Sequence, residues 1–404
     1  MMSNGAYPVT IPDADYWRSL IKCQAACPVL TDARAYVTAV ARQDFESGYE
    51  AARDPNPLAT ICGRICGAPC EAACRRGHIG PHQQPVAIRP LKRTLTEQLG
   101  PEAGARVAGR DADSAVAHPG QLANFFAPNP AKTRTGTPPG AGSYRNFSSV
   151  RWSREELRRL AAQPARRHGS VAVVGAGPSG LTVAHNMALL GHQVTIFEAG
   201  PKLGGMIRYG VPAFRFDQDA FDLEIQSILD MGVEVRLNTP IGKKAKLADL
   251  RRHFDAVFLG LGLMQGRMPN IEGTELDGVM NAVDLLLNVN LGHKVNVGRR
   301  VLVVGGGDAA LQSGQNSGTG EPDTVHTALD VARTALRLGA AEVTVIAPEN
   351  RDELPISDFE VEKALEEGIR IFPRRGPQRI VGADGRVTGV EVVDVESVFD
   401  AQGN

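Results

Sequence analysis

The strongest constraint on how this chain folds is the stretch SVAVVGAGPSGLTVAHNMALLGHQVTIFEA, residues 170–199. An apolar run leads into Gly175, Gly177 and Gly180 in G-x-G-x-x-G spacing. A helix-period segment follows, then a second apolar run ending at Glu198. Strand, glycine turn, helix and strand in this order make up the dinucleotide fingerprint. The first glycine permits a tight turn, the second lets backbone approach a pyrophosphate, and the third lets helix pack on strand. The acid closing the second strand meets a ribose hydroxyl. The stretch therefore predicts an α/β, Rossmann-like unit that holds a dinucleotide.

A second such unit begins at RRVLVVGGGDAA, where Gly305, Gly307 and Ala310 fill the glycine pattern behind an apolar strand. From Gly305 to the corresponding acid, Glu349, is 44 positions, against 23 from Gly175 to Glu198. The excess sits in LQSGQNSGTGEPDTVHTA, residues 311–328, after which LDVARTALRLGAAEVTVIAPEN resumes a helix and a strand. The polar segment reads as an insertion near the start of the phosphate-facing helix, positioned to gate the nucleotide or displace it.

All six cysteines fall in the first 74 residues: Cys23 and Cys27 in CQAACP, and Cys62, Cys66, Cys70 and Cys74 in ICGRICGAPCEAACRRG. On a straight helix the outer two of the latter four would stand about 18 Å apart, too far for one small site. Gly63, Gly67 and Pro69 interrupt the run, so the chain is expected to wind around something instead. The amino terminus lacks the basic start and apolar run of a signal peptide, and no apolar run reaches membrane-spanning length. The expected location is cytoplasmic, where dense cysteines serve metal sites more often than disulfides. C-x3-C spacing and the proline after Cys27 favour an iron-sulfur cluster. Structural zinc, which prefers C-x2-C pairs, and metal-free thiols are the alternatives.

The 404 residues divide accordingly. Residues 1–100 read as an all-α cysteine domain, with helical spacing in DARAYVTAVARQDF and PVAIRPLKRTLTEQLG. Residues 101–168, rich in Pro and Gly, read as a linker or wrapping segment with one short helix capped by Ser153 and Glu156. Residues 169–292 and 293–404 form the two nucleotide domains. Net charge is −1 and no basic stripe carries interleaved aromatics, so nucleic acid is not an expected partner.

Two nucleotide units behind a cysteine domain resemble the small subunit of bacterial glutamate synthase and the amino-terminal half of dihydropyrimidine dehydrogenase. The motifs that carry the resemblance are CxxxCP, ICGRICGAPCEAACRRG, PVAIRPLKR, GAGPSGLTVAHNMALLGHQVTIFEA, GGMIRYGVPAFRF and DVARTALRLGA. The family implies an electron-input subunit. NAD(P)H reduces FAD, and the flavin passes electrons through 4Fe-4S clusters to a partner subunit or a ferredoxin. By position, FAD would lie on Gly175, Ala176, Gly177, Pro178, Ser179 and Gly180, with Glu198 on its ribose. Gly204, Gly205, Met206, Arg215 and the backbone near Ile241 would border it. Arg215 has a second reading as a solvated surface charge. Gly305, Gly306, Gly307, Asp308 and Ala309 match the nicotinamide nucleotide turn. Such chemistry belongs to the cofactors and requires no catalytic side chain.

Three departures qualify the resemblance. Family members often carry eight cluster ligands, some with a non-cysteine ligand near the position of Lys92, whereas six thiols cannot ligate two four-cysteine cubanes. One 4Fe-4S cluster is expected, with two as the alternative count. Cys27, Cys66 and Cys70 form its matching core, completed by Cys62, Cys23 or Cys74. Secondly, NADPH-using relatives carry paired arginines where this chain has Pro348 and Glu349. A carboxylate there accepts from a free ribose hydroxyl and repels a 2′-phosphate, so NADH is expected, with Arg351 as the feature that would suit NADPH. Thirdly, GRVTGVEVVDVESVFDAQGN reads as a hairpin of the second nucleotide domain, and the strand that returns to the flavin domain in relatives is missing. The flavin domain is therefore expected to be incomplete: the sequence is a fragment, a separate chain completes the domain, or the flavin site is degenerate. A fragment is the expectation, since the buried parallel sheet would otherwise lose strands and expose apolar edges. The rival readings are a metal-stabilised docking scaffold with vestigial nucleotide sites and a stand-alone ferredoxin:NAD(P)H reductase.

Overall fold

In a computed structural model, the structure describes residues 16, 20–54, 56–79, 83–103, 169–305, 327–354 and 358–398. The short helix expected around Ser153 and residues 311–326 of the insertion lie outside them. The described residues form two compact units. One takes those up to Val174 with Ser179–Phe197 and Gln218–Phe258; the other takes Gly175–Pro178, Glu198–Asp217 and those from Leu259 onward.

The amino-terminal region is helical: α1 (Lys22–Ala25), α2 (Ala33–Ala41), α3 (Phe45–Arg53), α4 (Ala59–Ile65), α5 (Pro69–Ala72) and α6 (Ile88–Leu99), with a 3₁₀ turn at Arg75–His78. Asp32 caps α2 by accepting from the Ala35 N–H at 3.0 Å, and Asp44 caps α3 through Ser47 at 3.2 Å. Each carboxylate satisfies a backbone donor that the first helical turn leaves unpaired. The core joins Ala33 and Tyr36 of α2, Tyr49 and Ala52 of α3, and Ile88 and Leu95 of α6. Gly63 lets α4 cross α6 closely, since a Cβ there would stand 3.0 Å from the Cα of Arg93.

The first nucleotide-type fold follows as β1 (Ser170–Val174), α7 (Pro178–Leu189), β2 (Gln193–Phe197), α8 (Gly205–Gly210), α9 (Gln218–Leu229), β3 (Glu234–Arg236), α10 (Leu247–His253) and β4 (Ala256–Leu259). Its sheet has the order β3-β2-β1-β4, with β1, β2 and β3 parallel. β1 and β2 are buried along nearly their whole length, as a strand covered on both faces requires. β4 forms one edge, and Leu259 is 50% exposed.

The second fold comprises α11 (Ala282–Asn290), β5 (Arg300–Val304), α12 (Thr327–Arg337), β6 (Glu342–Ile346), α13 (Asp358–Glu366) and β7 (Arg370–Phe372), with a parallel sheet β5-β6-β7. Leu285 and Leu286 of α11 pack in one core with Val303, Leu329, Val343 and Val345. The second fold thus begins upstream of the boundary expected at 292/293, because burial of α11's apolar face decides which core it joins. β8 (Arg375–Ala383) and β9 (Arg386–Asp394) form an antiparallel hairpin. Asp384 and Gly385 turn it with φ of 51° and 76°, the positive pair that a two-residue hairpin turn needs. No described helix is long and apolar enough to cross a membrane.

Candidate functional site

The cysteine run turns where its sequence breaks the helix. α4 stops as Cys66 becomes extended (φ −62°, ψ 137°), Ala68 takes a left-handed φ of 58°, and Pro69 opens α5. This corner brings round one cavity the thiols that a straight helix would spread apart. Cys27, Cys62, Cys66 and Cys70 line it, beside Tyr36, Arg89 and Lys92. Of the three candidates for the fourth thiol, only Cys62 lines the cavity; Cys23 and Cys74 do not. Among the described residues no three Cys, His, Asp or Glu side chains close tightly enough on one point to hold a single metal ion. The thiols surround a space instead.

Hydrogen bonds and burial set the character of these sulfurs. The Ala68 N–H donates to Cys66 Sγ at 3.4 Å, and Cys27 Sγ donates to Thr31 Oγ1 at 3.6 Å. Burial pushes the Cys62 thiol up to about 11, opposed mainly by the Lys92 charge. Burial, with the neighbouring Cys66 and Cys27, pushes Cys70 up to about 12. Such thiols are neutral until a metal's positive charge holds them as thiolates. Four sulfurs are the complete donor set of a cubane cluster, so the residues present fit one 4Fe-4S group.

The scaffold of this cavity comes from residues far apart in sequence. Arg89 of α6 donates from Nη1 to the Cys66 carbonyl at 2.6 Å, and its backbone N–H donates to Glu71 at 2.6 Å. Glu224 of α9, with 0% exposure, accepts from Thr60 N–H at 2.8 Å and Ile61 N–H at 3.3 Å, at the start of α4. Arg53 lies 3.8 Å from the same carboxylate. Sequence reasoning missed Glu224 because it sits in an ordinary amphipathic helix, 164 positions from Thr60.

The glycine turn after β1 forms the second candidate site. Gly175 has φ of 97°, and a Cβ there would lie 2.2 Å from the Gly260 carbonyl oxygen. Gly205 has φ of 54°, and its Cβ would come within 2.6 Å of the Gly177 Cα. Both glycines are required by the protein's own packing. Gly177 is different: a Cβ there meets only Gly205 Cα, at 3.8 Å. The open side of Gly177 leaves backbone room for a ligand, which is the fit a pyrophosphate needs. Glu198 accepts from Ala176 N–H at 2.8 Å and Gly200 N–H at 2.7 Å, and the Gly204 N–H donates to the Ala176 carbonyl at 2.8 Å. Each carboxylate oxygen keeps a further lone pair for a ribose hydroxyl. Pro178, Ser179 and Gly180 open α7, and Met206 lies in the first turn of α8. Ile241 packs on Ala172, Val174, Phe197 and Leu250 in the core of the first sheet.

Arg215 is not a solvated surface charge, its side chain being 17% exposed. Its Nε bonds Asp330 of α12, and its two terminal nitrogens bond Glu360 of α13 at 3.0 and 3.3 Å. Two carboxylates that no motif marked draw it into an ion-pair cluster. In the second fold, Gly305 has φ of 133° and donates to the Ile346 carbonyl at 2.9 Å. Gly306, Gly307, Asp308 and Ala309 lie outside the described residues. Glu349 is only 7% exposed, a buried acid just beyond β6. Its carbonyl accepts from Arg374 N–H at 2.9 Å. Arg351 is turned toward Asp358, at 3.2 Å.

Comparison with known proteins agrees with this division. Residues 19–102 match the family model described as dihydropyrimidine dehydrogenase domain II, 4Fe-4S cluster, and residues 169–403 match pyridine nucleotide-disulphide oxidoreductase. NADPH-Fe(3+) oxidoreductase subunit beta of Geobacter sulfurreducens is 31% identical over 92% of this chain and 45% of its own length. NADP(+)-dependent formate dehydrogenase subunit beta of Moorella thermoacetica is 32% identical with the same coverage. The glutamate synthase [NADPH] small chain of Escherichia coli is 33% identical over 56% of this chain and 47% of its own. The chain spans about half the length of these curated relatives. A family match over the whole nucleotide-binding part, with the thiol cavity ahead of it, leads to one assignment: the chain belongs to the pyridine nucleotide-disulphide oxidoreductase family, in the glutamate synthase small-chain-like group that carries a dihydropyrimidine dehydrogenase-type 4Fe-4S domain.

Proposed function

We propose that this chain is an electron-input module in which NADH reduces FAD and the flavin delivers electrons, through one 4Fe-4S cluster, to a partner subunit or a ferredoxin. The observation that carries the reading is the coexistence, in one chain, of four thiols around one cavity and a glycine cradle closed by a ribose-type acid. When bound, the flavin and the cluster supply the redox chemistry, converting a hydride donor's electron pair into single electrons. The protein's part is to hold and to shield. Gly177 and Ala176 present backbone to the pyrophosphate, and Glu198 orients the adenosine ribose. Cys27, Cys62, Cys66 and Cys70 ligate the cluster, while Arg89 and Glu71 fix the corner that carries Cys66 and Cys70.

The second glycine turn, from Gly305 through Ala309, takes the nicotinamide coenzyme. Several relatives are named for NADPH or NADP(+). Glu349, buried just beyond β6, disfavours a 2′-phosphate and supports NADH here. The chain purified without oxygen should carry iron and acid-labile sulfide in about a 4:4 ratio, together with FAD that NADH bleaches. Cys62→Ala, Cys66→Ala or Cys70→Ala should remove the cluster, whereas Cys23→Ala and Cys74→Ala should keep it. Stoichiometric zinc without sulfide, or a folded chain that binds neither flavin nor nicotinamide nucleotide, would overturn the reading in favour of a docking scaffold.

A further inference from the structure

Among the described residues, no ion pair accounts for the charge of Lys92. It lies on α6 one turn after Arg89, is 8% exposed, and lines the cavity with Cys27, Cys62, Cys66 and Cys70. Among the described residues no carboxylate pairs with it, and its ammonium stands over the Tyr36 ring, 5.7 Å from Nζ to the centroid. The surrounding charged groups have other tasks. Glu71 accepts from the Arg89 backbone, Arg89 holds the Cys66 carbonyl, and Glu224 accepts from the start of α4 beside Arg53. A buried ammonium without a counter-ion among the described residues is costly, and an anionic group in the cavity it lines would offset that cost.

We propose that Lys92 is the counter-charge of the iron-sulfur cluster and sets how readily the cluster accepts an electron. The proposal rests on the cluster reading above. Thiolate ligands make the ligated cluster anionic, and each added electron makes it more so. A fixed cation at the cavity wall therefore stabilises the reduced form more than the oxidised form and raises the reduction potential. Tyr36 steadies the cation: its hydroxyl donates to the Ile88 carbonyl at 3.3 Å, which fixes the ring beneath Nζ. Four thiols complete the ligand set, so the amine acts through its charge and not as a ligand.

The test compares full-length wild type, Lys92→Met and Lys92→Arg by iron and sulfide content and by redox titration followed by electron paramagnetic resonance. Arginine keeps the charge and cannot ligate iron, while methionine keeps the length without charge. Wild type and Lys92→Arg should titrate together. At a fixed ambient potential the ratio of reduced to oxidised cluster in Lys92→Met should fall roughly tenfold, a shift of about 59 mV for a one-electron couple. Loss of the cluster in Lys92→Met but not in Lys92→Arg would support the same role. A fully loaded Lys92→Met that titrates with wild type overturns the proposal. So does a Lys92→Arg that shifts, or loses iron, as far as Lys92→Met, since shape would then be the cause. Wild type free of iron and sulfide overturns the cluster reading and the proposal with it, and metal analysis separates that failure from the others before any titration.

Discussion

Glu224→Ala should open the helix that carries Cys62 without disturbing the second nucleotide fold. The carboxylate is fully buried and accepts from the Thr60 and Ile61 N–H groups at 2.8 and 3.3 Å, with Arg53 3.8 Å away. Each hydrogen bond to a charged group contributes about 1.5–3 kcal/mol, and breaking a buried ion pair costs about 3–5 kcal/mol. One side chain provides both, so the costs overlap; burial pushes its carboxyl up to about 7 against the pull of Arg53, so at pH 8, where the group is mostly ionised, the expected total is about 3–5 kcal/mol. Glu224→Gln keeps one acceptor oxygen and should lose about half as much. Hydrogen exchange read by mass spectrometry reports this locally. Peptides covering 59–65 should exchange about 10²- to 10⁴-fold faster in Glu224→Ala, while those covering α12 and α13 stay unchanged. Acceleration below about tenfold would mean that α4 is held by its apolar packing and that the carboxylate is incidental.

The two kinds of glycine should separate experimentally. Gly175→Ala, with a Cβ 2.2 Å from the Gly260 oxygen at φ 97°, should lower the melting temperature even without flavin, whereas Gly177→Val should keep the fold and lose flavin binding. Equal melting points for both variants would refute that division. Glu349→Arg should shift relative kcat/KM from NADH toward NADPH by about 5- to 150-fold, corresponding to about 1–3 kcal/mol from one charged contact; an unchanged ratio would show that this acid does not face the ribose. Glu367 is held down at about 2, chiefly by its hydrogen bond from Arg333 and then by Arg337. Its folded pKa lies below its unfolded value, so its stabilisation is complete above about pH 4.5 and is lost as pH falls toward 2. After discounting for partial exposure, Glu367→Gln should cost about 1–2 kcal/mol at pH 7, and the gap from wild type in denaturant melts should close in acid.

Local chemistry made much of this molecule readable from its residues alone. The βαβ pattern around Gly175 depends on period and on three glycine positions, which are properties of neighbouring residues. The same holds for the breaks at Gly67 and Pro69 that force the cysteine run to bend; the hairpin expected within residues 385–404 instead begins at Arg375, with only its second strand, β9, in that stretch. That the cysteine run turns a corner was legible because its spacing excluded a straight helix as a way to gather the thiols, of which Cys27, Cys62, Cys66 and Cys70 line the cavity. What the tertiary structure decided are matters of which distant groups meet. Only packing chose Cys62 over Cys23 and Cys74 for the cavity, since all three lie close enough along the chain to reach it. Only packing gave α11 to the second core and turned Arg215 toward Asp330 and Glu360. Glu224 and the buried charge of Lys92 follow the same rule: burial of a charged group has a cost set by whatever is folded against it, and no local pattern in the sequence records that environment.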